Sequence, residues 1–112
     1  MTLQDFPARL HGEQFQFAET LALIAEHYDY QPSAFRNGDV ENAEGHNEGS
    51  CKTLGLALLE GFTLEETLRA FGEHYRAVLA SPDGSDHANI RALQTTGLAG
   101  VQFAHQPLQR KA

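Results

Sequence analysis

Arg36-Asn-Gly-Asp-Val-Glu-Asn-Ala-Glu-Gly-His-Asn-Glu-Gly-Ser50 runs straight into Cys51-Lys-Thr-Leu-Gly-Leu-Ala-Leu-Leu-Glu60, and the join between them divides the chain. The first stretch holds Asn37, Asn42 and Asn47, Gly38, Gly45 and Gly49, and four carboxylates, with Val40 as its lone apolar anchor. Packing does not explain such a composition. A long connection of this kind inside a compact domain is either functional or disordered. The second stretch reads as a buried helix over 51–60, capped by Ser50, with Leu54 and Leu58 on one face and Leu56 and Leu59 widening it.

Upstream of the join the signals are mixed. Thr2-Leu-Gln-Asp5 resembles a capping box, and Leu3, Phe6 and Leu10 follow at helical spacing up to Gly12. Phe15 and Phe17 alternate with glutamines, as in a short extended piece. Phe17, Leu21, Ile24 and Tyr28 then mark one helix face. Ser33 to Asn37 predicts a short strand anchored by Phe35, and Asn37-Gly38 a turn, because both residues tolerate positive φ.

Downstream the pattern is helical. Thr63-Leu-Glu-Glu66 is a capping box, and Leu64, Leu68, Phe71, Tyr75 and Val78 form one continuous stripe stopped by Ser81-Pro82. Ser85 or Asp86 caps a further helix through Thr96, with Ile90 and Leu93 inward and Gly97 at its end. Val101 and Phe103 alternate with Gly100 and Gln102 as a last short strand, and 105–112 reads as a frayed polar tail. The fold expected is α+β: one predominantly helical domain over 1–112, with about five helices and a small two- or three-stranded sheet. Its expected core is Leu54, Leu58, Leu64, Leu68, Phe71, Tyr75, Ile90 and Leu93.

Composition bounds the function. A net charge of -7 and scattered basic residues argue against a nucleic-acid partner, which needs clustered Lys and Arg. No apolar run approaches the roughly 20 residues of a membrane span, so no membrane partner is expected. No segment resembles a secretory signal. A single cysteine forbids an internal disulfide and fits a reducing, cytoplasmic setting.

The polar run has three near-motifs. Neither calcium-loop register fits: from Asp39, glycine falls at position 7 and Ser50 at 12, and from Asn37 position 6 is Asn42. Gly49-Ser50-Cys51-Lys52-Thr53 separates the glycine from Lys-Thr, so it is not a phosphate loop, although weaker anion capture at the 50–53 amides stays open. Cys51 beside a helix start is either a nucleophile, with His46, His74 or His87 as its base, or a small buried apolar residue. His46 and His87 with Asp39, Glu41 or Asp86 make a metal alternative, but no His pair is spaced i, i+4 on a helix, and no metal or cofactor is assigned. His27 and His74 each precede an inward tyrosine and read as boundary residues.

Two segments therefore carry the candidate site. From the run come Asn37, Asp39, Asn42, His46, Asn47, Ser50 and Lys52; from the last helix come Asn89 and Arg91, beside Asp86 and His87. The asparagines either tie loop backbone together by local hydrogen bonds or touch a ligand. Asn89 and Arg91 are either a solvated face or a second patch that meets the run. Three functional classes follow: a binding protein for a protein partner or small molecule using 36–50, an enzyme centred on Cys51, His46 and His87, or a metal-dependent protein.

The order of these motifs resembles the HopJ family. Phe35-Arg-Asn-Gly38, Asn42-Ala-Glu-Gly-His-Asn-Glu-Gly-Ser-Cys-Lys52, Glu66-Thr-Leu-Arg-Ala-Phe-Gly-Glu-His-Tyr-Arg-Ala-Val-Leu79, Asp86-His-Ala-Asn-Ile-Arg91 and Gly100-Val-Gln-Phe103 carry the likeness, which spans about Leu3 to His105. These are small bacterial proteins named for a type III secretion effector. The resemblance implies delivery through a secretion needle; it supplies no reaction, cofactor or catalytic residue.

Overall fold

The computed structural model describes residues 2–111. The helices are α1 (Phe6–Leu10), α2 (Phe17–His27), α3 (Glu48–Glu60), α4 (Leu64–Arg69), α5 (Glu73–Ala80) and α6 (Ala88–Thr96). The strands are β1 (Tyr28–Tyr30), β2 (Phe35–Asn37), β3 (Val40–Asn42), β4 (Val101–Phe103) and β5 (Leu108–Arg110). The class is α+β, as the sequence predicts, but the single small sheet is two: β1-β5, and β3-β2-β4, all antiparallel. The Cα radius of gyration is 13.1 Å, and about 13 Å is what one compact domain of this length has.

The polar run is not a structureless loop. Its first half is the β2–β3 hairpin, in which Asn37 pairs with Val40 across Gly38-Asp39. Only Gly38 takes a positive φ there, +58°, the pattern of a two-residue turn with glycine first. Asn37 stays inside β2, so the turn sits one residue later than the sequence predicts. The second half closes quickly: the His46 N–H donates to the Ala43 carbonyl at 3.0 Å, and α3 starts at Glu48. Ser50 is therefore inside the helix and not its cap. The cap is Asn47, held left-handed at φ 51° with no side-chain capping bond.

The stripe from Leu64 to Val78 is two helices. Thr63 and Glu66 make the predicted capping box and start α4, but Gly72 at φ +59° interrupts the run, and α5 begins after it. A Cβ at Gly72 would lie 2.4 Å from the Phe17 nitrogen, so only glycine lets this break sit against the start of α2. Phe17 itself opens α2, and is not part of an extended strand.

Helix α3 is the spine between two cores. Leu56 joins Phe6, Leu10, Phe15, Leu23, Ile24 and Leu108, while Cys51 and Leu54 join Phe35, Phe71, Val78, Ile90, Leu93 and Val101. A helix buried on several sides has no single apolar face, which is why Leu58, expected inside, is 41% exposed while Leu56 is fully buried. Leu64 also lies at the surface, and Tyr75 packs at the edge of the second core.

The terminal segment is not frayed. Leu108 is 3% exposed in the first core, and β5 pairs with β1 in the register Tyr28–Arg110, Asp29–Gln109, Tyr30–Leu108. The Pro107 ring packs on α3 so closely that a Cβ at Gly55 would lie 2.6 Å from its Cγ. The Gln106 amide donates to the Gly55 carbonyl oxygen at 3.2 Å. Arg110 and Tyr28 both bond the Glu60 carboxylate at the end of α3. Polar residues in this stretch misled the sequence reading because they alternate with Leu108 as an edge strand does.

Candidate functional site

The asparagines converge. Asn37 Nδ2 donates to the Asn89 carbonyl at 2.7 Å and to Asn89 Oδ1 at 3.1 Å. Asn42 Nδ2 donates to Asn89 Oδ1 at 3.2 Å, and Asn89 Nδ2 returns a bond to Asn42 Oδ1 at 3.0 Å. Asn47 Nδ2 adds a third, to Asn42 Oδ1 at 2.6 Å. The network thus stitches β2, β3 and the cap of α3 to the first turn of α6, about fifty residues away in sequence. Asn37, Asn42 and Asn89 are all buried. Asn37 Oδ1 is buried with no hydrogen-bond partner, a cost of about 1–3 kcal/mol that an apolar residue would avoid.

Against this network lies a cavity of about 310 Å³, lined by Asn47, Ser50, His87 and Asn89 on the polar side and by Phe17, Phe71 and His74 on the other. The rings form a run. Phe17 stacks on Phe71 with centroids 5.8 Å apart, His74 meets Phe17 edge-on at 5.2 Å, and His87 tilts against His74 at 5.0 Å. Both non-glycine residues with positive φ, Asn47 and His87 (φ 52°), stand at this wall. Each caps a helix without a side-chain capping bond. Such conformations cost of order 1–3 kcal/mol and gather where function requires them.

The carboxylates around the cavity are held by other partners. Glu73 accepts the Phe17 N–H at 2.6 Å; its burial, which acts against ionisation, is outweighed by that bond and its neighbours, and its pKa is lowered. Glu48 accepts the Tyr30 hydroxyl at 3.2 Å. Asp86 pairs with Arg91 at 2.7 Å, and this bond holds its carboxyl below the ordinary value.

Not every predicted residue reaches the site. His46 is exposed in its turn and does not line the cavity. Asp39 sits at the hairpin tip, beside a separate groove that Arg91 also lines. Arg91 binds the carbonyls of Asp86 and Pro82 together with the Asp86 carboxylate, which makes it a brace for the loop before α6. Lys52 lies 4.7 Å over the Tyr30 ring, a cation–π contact, and does not line the cavity.

Cys51 is 1% exposed, and its thiol donates to the Ser33 carbonyl at 3.7 Å. Burial is the main cause that pushes its pKa up, the reverse of what a nucleophile needs. No histidine bonds it among the described residues, so the Cys–His centre is not assembled. Nor do three His, Cys, Asp or Glu side chains among the described residues gather as a metal-holding group. His87 Nε2 does approach Asp86 Oδ2, at 3.7 Å, but the pair has no third such donor beside it among the described residues, and Asp86 is already bonded by Arg91.

Sequence reasoning missed Phe17 and Phe71, which fall on apolar stripes and read as packing; His74 it weighed only as a base for Cys51 or a boundary residue, not as part of this wall. The available signal was Gly72: a helix break there turns residues 73–74 into a helix start, facing the starts of α3 and α6.

The fold and the cavity define a small α+β domain with a preformed pocket at the junction of its helix starts. The chain matches the family model described as HopJ type III effector protein over residues 3–108, and it belongs to that family. It is similar to a solved crystal structure described as the unknown function protein VPA0580, with a TM-score of 0.93 and 41% sequence identity, covering 99% of this chain and 95% of that one. No protein of curated function matches it. No helix among the described residues is long and apolar enough to cross a membrane.

Proposed function

We propose that the protein is a binding protein, and that its site is the cavity where the 36–50 segment meets the start of α6. One observation carries this: a buried asparagine network and two left-handed non-glycine residues, all costly to keep, converge on one preformed pocket. Packing alone favours neither feature, because apolar residues and glycine would serve the fold at lower cost. The pocket suits a small molecule more than a protein surface, since its polar groups point into a concavity of about 310 Å³.

Native mass spectrometry on protein purified from a bacterial lysate without denaturation tests the proposal. A noncovalent small-molecule mass excess is expected, and Ala88→Phe, which puts a large ring in place of a small residue that lines the cavity, removes it. An excess that survives Ala88→Phe places the ligand elsewhere and contradicts the reading. The effector description of the family adds a question of compartment. A translocation reporter fused to the chain answers it: signal in a co-cultured host cell puts the binding function there, and its absence keeps it in the bacterium.

A further inference from the structure

The chemistry of the cavity wall narrows the ligand class. The chain carries 15 Asp and Glu residues, yet none lines this cavity, and neither does any Lys or Arg. Of the acids next to lining residues in sequence, Glu41, Glu48, Glu73 and Asp86 bond Arg36, Tyr30, the Phe17 N–H and Arg91, and Asp39, beside Val40, lines the separate groove at the hairpin tip. The pocket is therefore a gap in an otherwise acidic surface. The polar groups that remain are the amides of Asn47 and Asn89, which bond Asn42, the imidazoles of His74 and His87, and the hydroxyl of Ser50, the last three each able to donate a hydrogen bond. The uncapped first turns of α3 and α6 add partial positive charge. No lining residue offers a cation a carboxylate, and the Asp86 carboxylate, 3.7 Å from His87 Nε2, is paired with Arg91; a multiply charged phosphate finds no guanidinium or ammonium in the lining.

A run of rings crosses the cavity. Phe71 and Phe17 lie nearly parallel, 11° apart, His74 meets Phe17 edge-on at 72°, and His87 tilts against His74 at 42°. One end of this ring run is apolar and the other carries ring nitrogens. A ligand with an apolar ring at one end and a single negative charge at the other matches both ends.

We infer that the cavity binds a small aromatic monocarboxylate, with its ring toward Phe17 and Phe71 and its carboxylate toward Ser50, His74 and His87. This rests on the binding-site reading above. Benzoate and benzamide share size and ring but differ in charge, so isothermal titration of the full chain with each separates the two claims. Benzoate is expected to bind at least tenfold more tightly than benzamide, a gap of about 1.4 kcal/mol. His87→Asn, which keeps a residue tolerant of positive φ, and His74→Gln are each expected to weaken benzoate about fivefold or more while leaving the melting temperature close to that of the parent. Equal binding of benzoate and benzamide, lost in Ala88→Phe, keeps the binding site and overturns the anionic class. Binding of neither probe overturns the inference, while a lysate-derived mass excess removed by Ala88→Phe still upholds the site. Benzoate binding untouched by both histidine variants places the carboxylate elsewhere and overturns it as well.

Discussion

Asn89 is the residue on which the site's architecture turns. Its side chain accepts from Asn37 and Asn42 and donates to Asn42, so Asn89→Ala removes three hydrogen bonds between buried side chains at once, although the Asn37 and Asn42 amides keep their bonds to the Asn89 carbonyl and to Asn47. The expected loss is about 2–3 kcal/mol, read from urea unfolding; a loss below about 0.5 kcal/mol contradicts the network as drawn. His87 makes the opposite case. An L-residue in the left-handed region costs about 1–2 kcal/mol relative to glycine, so His87→Gly is expected to hold or raise stability while removing an imidazole from the cavity. A rise in melting temperature checks this, and a fall of several degrees contradicts the view that His87 is kept for something other than folding. At this scale the sequence was partly legible. Asn37, Asn42, Asn47 and Asn89 stood out because nothing apolar explained them. Phe17 and Phe71 did not, because a residue that both packs and lines a cavity has the same sequence pattern as one that only packs, and His74 stood out only as a base for Cys51 or a boundary residue.

Helix starts are the elements that matter. The capping box at Thr63, the strand at Phe35, the end of α6 at Gly97 and the strand at Val101 were all legible, since each follows from local chemistry. The break at Gly72 was not. Its cause is the tertiary approach of Phe17, and no local propensity reports it. Gly72→Ala is accordingly expected to destabilise the fold by more than about 2 kcal/mol, through both the positive φ and the clash with the Phe17 backbone. Chemical denaturation measures it; a neutral result contradicts the packing of α5 against α2. The burial of α3 on several sides likewise hid its orientation, so Leu58 was placed in the core although it is exposed, and Leu56 only at the widened edge of the face although it is fully buried.

Over the whole molecule, the last strand closes the fold. Ending the chain after Pro107 removes the burial of Leu108, the β1–β5 ladder and the Arg110–Glu60 pair. A loss of about 3 kcal/mol or more is expected from the apolar side chain and the ladder alone, measured by thermal unfolding. The same corner sets an acid limit. Arg110 first, then Tyr28, hold Glu60 below its ordinary value near 4.5, against the opposing effect of burial. A carboxylate lowered in the folded state contributes stability above its unfolded pKa and loses it as pH falls through the folded one. Melting temperature is therefore expected to drop below about pH 4.5, and Glu60→Gln to flatten part of that drop. The tail was illegible because its pairing partner, β1, begins at Tyr28, which helical spacing had assigned to α2.

The cavity at the junction of the two segments is the central claim, and a ¹⁵N–¹H correlation map of the labelled protein titrated with a small-fragment mixture tests it most directly. The account predicts shifts concentrated at Asn47, Ser50, His74, His87, Ala88 and Asn89, with a second groove, lined by Ala8 and Arg9 of α1 and Glu19, Ala22 and Glu26 of α2, unmoved. Shifts centred on that groove, or on the outer face of the β3-β2-β4 sheet, would contradict it.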